Sequence, residues 1–238
     1  MTTATATTDR ITEADSDQCV VFRDIDWKGY SAFLKVRGER SVPRMVYLDG
    51  SLFLVSPSFS HEYVTERFGW LVLVLVEELD LPCIPSRSTT FRRRAKRGGV
   101  EGDLSYYLAS ESRVRGKQRI DLKIDPPPDL AVEVVQTHGA VAALEVYRRI
   151  RVPEVWVYDE ELTILAIQPD GRYAKTGRSV AFPVLEVGEI TAWIQMTRNQ
   201  SETAWVKELR RWVVSVIVPR YRQYIAEQEA KRDQQTDE

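Results

Sequence analysis

Cysteine and histidine are both scarce in this chain. Cys19 and Cys83 are its two cysteines, with no C-x-x-C pair, which speaks against a disulfide framework or a cysteine zinc site. His61 and His138 are its two histidines, too few for a histidine-rich transition-metal centre. An excess of one charge is missing too. The 33 Lys and Arg and 35 Asp and Glu leave a formal net charge of -2, so any nucleic-acid binding has to come from a local basic patch. The longest apolar run, Trp70 to Val76, falls far short of the roughly 20 residues that span a bilayer. The N-terminus lacks the charged and apolar regions of a signal peptide. These absences lead to the expectation of a cytoplasmic protein with no membrane association.

The 238 residues, 43% hydrophobic and 29% charged, suffice for one globular domain with additions at its ends. Residues 1–19 are rich in Thr, Ala and Asp without periodicity and read as a disordered lead-in. Residues 20–200 read as the domain, and 201–238 as a C-terminal helical extension with a polar, fraying tail. Asp24 or Asp26 caps a short helix. Asp49-Gly50 joins Met45–Leu48 to Leu52–Val55 as a hairpin. Ser60 reads as the N-cap of a buried helix carrying Val64, Phe68, Leu71, Leu75 and Leu79. Val100 to Leu108 reads as one strand, Val141 to Ile150 as a helix, and Pro153 to Asp159 as a further strand. Trp205, Leu209, Trp212, Val213 and Val216 share a helical face, which Pro219 breaks or kinks.

The stretch Asp125-Pro-Pro-Pro-Asp-Leu-Ala-Val-Glu-Val-Val135 is the most telling. The prolines deliver an extended segment. The apolar run after them is too continuous for a half-exposed strand, so it reads as a central strand covered on both faces. Glu133 lies inside that run, where a carboxylate must be paired, bind a metal or take up a proton. A strand–loop–strand carrying Asp103 and then Glu133 can bring two acids to one point and hold a hard divalent cation. Glu133 and Asp129 share a face but lie about 13 Å apart at strand spacing, so Asp129 reads as a residue that orders the proline turn. Glu101 and Asp103 lie about 7 Å apart on one face by the same spacing.

Other residues have competing readings. Glu133 could instead pair with Arg148 or Arg149 as a buried ion pair. His61 could be a helix-start hydrogen bonder, and His138 a turn residue. The basic run Arg92, Arg93, Arg94, Lys96 and Arg97 reads either as a solvated hairpin tip or as an arm that contacts phosphates.

The ordered blocks Asp49-Gly-x5-Ser-Pro57, Ser58-x-x-His61, Glu101-x-Asp-x-Ser-Tyr-Tyr107, Pro127-Pro-Asp-Leu-x-x-Glu-Val-Val135 and Tyr147-x5-Pro-Glu-Val-Trp156 resemble the Uma-type family of restriction-endonuclease-like proteins. The resemblance runs from about Tyr47 to about Trp193. It implies an α/β (α+β) fold of the PD-(D/E)xK type, with a mixed central β-sheet flanked by helices; the helix after residue 200 is then an extra element. It implies an endonuclease that hydrolyses DNA phosphodiester bonds with Mg²⁺ or Mn²⁺. It assigns Asp103 and Glu133 as metal ligands, with Glu101 and His61 as further catalytic candidates. DNA is then the partner, and cutting both strands of a duplex would favour a homodimer. The motif lysine is missing: Val135 stands at its usual place and Ala143 at the displaced one. The alternative is therefore a catalytically impaired relative that binds DNA or regulates. Arg151 also stands where the family has a glycine, a position suited to a left-handed helix end.

Overall fold

The computed structural model of the chain describes residues 16–87, 89–135, 139–196 and 201–236. Two sheets build the domain. The first has the order β1 (Gln18–Phe22), β3 (Ser51–Ser56), β2 (Arg44–Leu48), β6 (Gly98–Val100) and β5 (Phe91–Arg93). Its pairs are all antiparallel. The second has the order β11 (Tyr173–Thr176), β10 (Glu161–Ile167), β9 (Glu154–Asp159), β8 (Leu130–Val134), β7 (Leu104–Tyr107) and β4 (Ile84–Pro85). Its one parallel pair, β8 with β9, is the pair joined through a helix, α4 (Gly139–Ile150), as a parallel crossover requires.

The strand expected over Val100 to Leu108 is in fact two strands in two sheets. Glu101, Gly102 and Asp103 carry the chain from β6 into β7, so a polar tripeptide sits at the seam. The expected hairpin forms, with Asp49 at φ 48° and Gly50 at φ 99°. Positive φ at both central residues is the type I′ geometry that Asp-Gly favours.

The helix α1 (Trp27–Arg37) is capped by Asp26, whose side chain accepts from Gly29 N. The long α2 (Phe59–Glu78) is capped by Ser58 rather than Ser60: the Ser58 side chain accepts from His61 N. That choice leaves Ser60 inside the first turn. One face of the second sheet packs on α2, where Phe68, Leu71 and Leu75 meet Leu130, Val132 and Trp156. The other face packs on α4, where Ala143, Val146 and Tyr147 meet Ala131 and Val155. Strand β8 is thus buried along its whole length, as its unbroken apolar run demands.

Residues 16–19 belong to the fold rather than to a lead-in, since β1 pairs from Gln18 and Asp17 is buried. The loop after β7 holds a short α3 (Glu111–Val114), and residues 187–195 form α5 (Val187–Gln195). At the other end, α6 (Glu202–Trp212), a π-turn over residues 213–217 and α7 (Val218–Thr236) run on without a break. Pro219 offers no N–H and crowds the carbonyl four residues back. The wider π-turn just before it shifts the ladder and absorbs that misfit. The face of Trp205, Leu209, Val213 and Ile217 is buried against α2. Arg67 latches this extension to α2. It is 1% exposed, donates to Ile194 O, Met196 O and Glu202, and lies 5.0 and 4.9 Å from the Tyr63 and Trp205 rings.

Candidate active site

The site grows from the seam between the sheets. Leu104 pairs with Val132 and Ser105 with Ala131 in antiparallel register, so one further step sets Asp103 opposite Glu133. Cross-strand neighbours have Cβ atoms about 4.5–5.5 Å apart. The alternation of β8 sends Leu130 and Val132 towards α2, and Ala131 and Glu133 towards α4. Asp103 and Glu133 line one small cavity of about 40 Å³ together with Asp17, Arg44, His61 and Glu101. That is above the roughly 10–15 Å³ that admits a single water.

Each acid is held by identifiable donors. Asp103 Oδ2 accepts from Val134 N at 2.7 Å. Its Oδ1 faces His61 Nε2 at 2.9 Å and takes a short charged hydrogen bond from Arg44 Nη1. Glu133 Oε1 accepts from the Tyr147 hydroxyl at 2.5 Å. Burial first, and then the Asp103 charge, push the Glu133 carboxyl up to about 8. Burial and the neighbouring Glu133 charge also raise Tyr147 well above its ordinary value, so Tyr147 is a donor here and not a base. Gly102 makes this approach feasible, because a Cβ there would run into the Tyr147 hydroxyl and Glu133 Oε1.

His61 is 3% exposed and bridges two carboxylates. Its Nδ1 lies 2.8 Å from Asp17 Oδ2, and its Nε2 faces Asp103. Burial alone would lower its pKa, but the hydrogen bonds to Asp103 and Asp17 outweigh that and raise it to about 10. The ring is therefore an imidazolium that donates to both acids. Burial pushes Asp17 up, yet the hydrogen bonds from His61 and Ser58 outweigh it and hold the carboxyl below its ordinary value. His61 Nε2 and Arg44 Nη1, 3.2 Å apart, are thus two cations converging on one aspartate oxygen.

Glu101 lines the cavity but is fully engaged elsewhere. Its Oε1 accepts from Arg37 Nη2 at 2.6 Å and from the Thr90 hydroxyl. Its Oε2 accepts from Arg37 Nη1 at 2.5 Å and Met45 N at 2.9 Å. Asp129 lies away from the site and orders the loop beyond β7, accepting from Leu108 N, Ser110 N and the Ser110 hydroxyl. Arg148 and Arg149 pair with Glu145, and Arg149 also with Asp49, so neither is the partner of Glu133. His138 lies outside the described residues.

The basic run is not at the acids. Arg92 and Arg93 lie on β5, Arg94 and Lys96 in a 3-10 turn, and Arg97 ends it at φ 48°. Because Leu48 pairs with Gly98 and Val46 with Val100, this run sits at the Leu48 end of β2, with the acids at the Arg44 end, about 13 Å away along the strand.

Sequence reasoning missed three members of the site. Asp17 lay in a stretch with no periodicity, and Arg44 was one arginine among many. Tyr147 carries a signal, its place in the last block, but that block assigns it no part in the site. Val135 and Ala143, at the two lysine-type positions, both line the cavity, and both are apolar.

The fold is restriction-endonuclease-like, a mixed sheet whose central strand carries a buried acid faced by an aspartate at the entry to the adjoining strand. The chain belongs to the Uma2 family, described as "putative restriction endonuclease", whose model matches residues 30–198. In fold it is similar to the crystal structure of a "putative nuclease belonging to DUF820" from Anabaena variabilis, with a TM-score of 0.50 at 16% identity over 69% of this chain and 97% of that chain. No curated protein matches it.

Proposed function

We propose that the chain is a divalent-metal-dependent endonuclease that hydrolyses DNA phosphodiester bonds at Asp103 and Glu133. The observation that carries this reading is the convergence of those two acids from adjoining strands on one ion-sized cavity. The donor set fits a hard cation. Two carboxylates plus waters and a substrate phosphate are the usual holders of Mg²⁺, whereas a closed cage is not required. Among the described residues no group of three or more His, Cys, Asp or Glu forms such a cage. A cation bound by Asp103 and Glu133 would polarise the phosphodiester and activate a water.

The chain's own residues supply the rest. Tyr147 orients Glu133, while His61, pinned by Asp17, orients Asp103. Glu101 joins α1 to the first sheet through Arg37 and acts as a support. The basic run would contact phosphates about four nucleotides from the acids, since 13 Å spans about four steps of one DNA strand.

Purified protein with Mn²⁺ or Mg²⁺ is expected to nick supercoiled plasmid, and Asp103→Ala and Glu133→Ala to lose that activity by at least about 100-fold. Intact plasmid across both metals and several DNA forms would overturn the reading. The apolar residues at both lysine-type positions favour one alternative, a DNA-binding relative without turnover. Salt-sensitive DNA binding with no nicking would be its signature.

A further inference from the structure

We propose that Arg44 is a resident counter-cation of the acidic site, which occupies Asp103 in the metal-free protein and competes with a divalent ion for that carboxylate. This inference rests on the metal-site reading given above.

Around the cavity His61 lies between Asp17 and Asp103, Arg44 also pairs with Asp103, Arg37 pairs with Glu101, and Glu133 takes the Tyr147 hydroxyl. A carboxylate oxygen offers about two lone pairs. Both directions at Asp103 Oδ1 are taken, one by His61 Nε2 and one by Arg44 Nη1. An ion at that oxygen has to displace one of the two.

His61 cannot leave easily. Its side chain is 4% exposed and is held on its far side by Asp17, itself 1% exposed. Arg44 can leave. Its other nitrogen, Nη2, is held at 2.8 Å by Glu62 Oε1, and the Glu62 side chain is 46% exposed. Rotating outward on that bond, the guanidinium keeps one carboxylate partner and gives up Asp103. The planar fork that spans both acids is a property of arginine that a lysine lacks. Arg44 approaches from the first sheet, and Val135 and Ala143, where a lysine would otherwise stand, line the same cavity.

The test is calorimetric titration of the full chain with MnCl₂, with folding checked by circular dichroism. Arg44→Gln should bind Mn²⁺ about tenfold or more tightly than the unchanged protein, the scale set by one charged hydrogen bond. Arg178→Gln, which removes an exposed surface charge paired with Glu186 beyond the β11 edge of the second sheet, should leave the affinity unchanged. Adding Asp103→Asn to Arg44→Gln should abolish the gain. The melting temperature of Arg44→Gln should fall in chelator and recover with Mn²⁺ more than that of the unchanged protein. A folded Arg44→Gln chain that binds Mn²⁺ no more tightly than the unchanged protein overturns the role of Arg44 alone. If neither protein binds Mn²⁺, the metal site and the inference both fall. Should Arg44→Gln not fold, Arg44→Lys keeps the charge but loses the fork, and its affinity should lie between tenfold tighter and unchanged; no gain in that folded variant counts equally against the proposal.

Discussion

Among the acids of the cavity, Glu133 is the one held by a hydroxyl donor rather than by a salt bridge. Its ordinary value is 4.5, and burial raises it to about 8. A carboxyl whose folded pKa is raised contributes stability that is fully present below the unfolded value and is lost as pH rises through the folded one. Glu133→Gln keeps an oxygen for Tyr147 and has no charge to bury. The variant should therefore match the unchanged protein near pH 4.5 and become the more stable of the two by about pH 8, with no further change above that. The expected gain is at least about 1 kcal/mol, or roughly 2–4 °C for a chain of this size. Thermal melts across that range in chelator would show it, and a difference independent of pH would refute the buried-acid account. Glu133 was legible because a charge inside an apolar strand run is a local conflict. Arg44 and Asp17 were not, because their roles exist only where three distant segments meet.

Helix α4 shows what a single element can hide and reveal. Its C-terminus closes with Arg151 N donating to Arg148 O and Val152 N to Tyr147 O, at 3.1 and 3.0 Å. This is the Schellman pairing that places one residue in the left-handed region. Arg151 is that residue, at φ 64°, as its place in the last block led one to expect. Arg151→Gly should stabilise the protein by about 0.5–1 kcal/mol, the relief of a side chain at positive φ less the added freedom of the unfolded chain. Chemical denaturation would check it, and a loss of stability would mean that the arginine side chain matters more than its backbone. Helices α2 and α4 were readable from apolar spacing because each packs on a sheet. The break between β6 and β7 was not, since Glu101-Gly-Asp103 alternates like a strand while the chain is changing sheets. The continuation past Pro219 was missed for another reason: a π-turn is a response to local crowding that composition does not announce.

At the scale of the molecule, the basic run and the acids lie beside opposite ends of β2, and the proposed function has a strand of DNA run between them. Reversing Arg92 and Arg94 to glutamate should weaken DNA binding and flatten its salt dependence by about one unit of slope for each phosphate no longer neutralised, while leaving Mn²⁺ affinity at the acids unchanged. Binding isotherms at several salt concentrations would measure this, and an unchanged slope would return the run to a solvated tip. Among the described residues no helix is long and apolar enough to cross a membrane. The fold class followed from the resemblance that the sequence blocks carry, but the division into two sheets did not, because pairing partners are set by residues far apart in the chain. The hairpin at Asp49-Gly50 has its own consequence. It fixes the register of β2, and Arg149 clamps Asp49 from α4 at 2.5 Å. Slipping β2 by one residue would turn every side chain on it to the other face and carry Arg44 away from Asp103. A surface turn that touches neither acid thus sets whether Arg44 meets Asp103, together with the packing of Met45, Val46 and Tyr47 in the core.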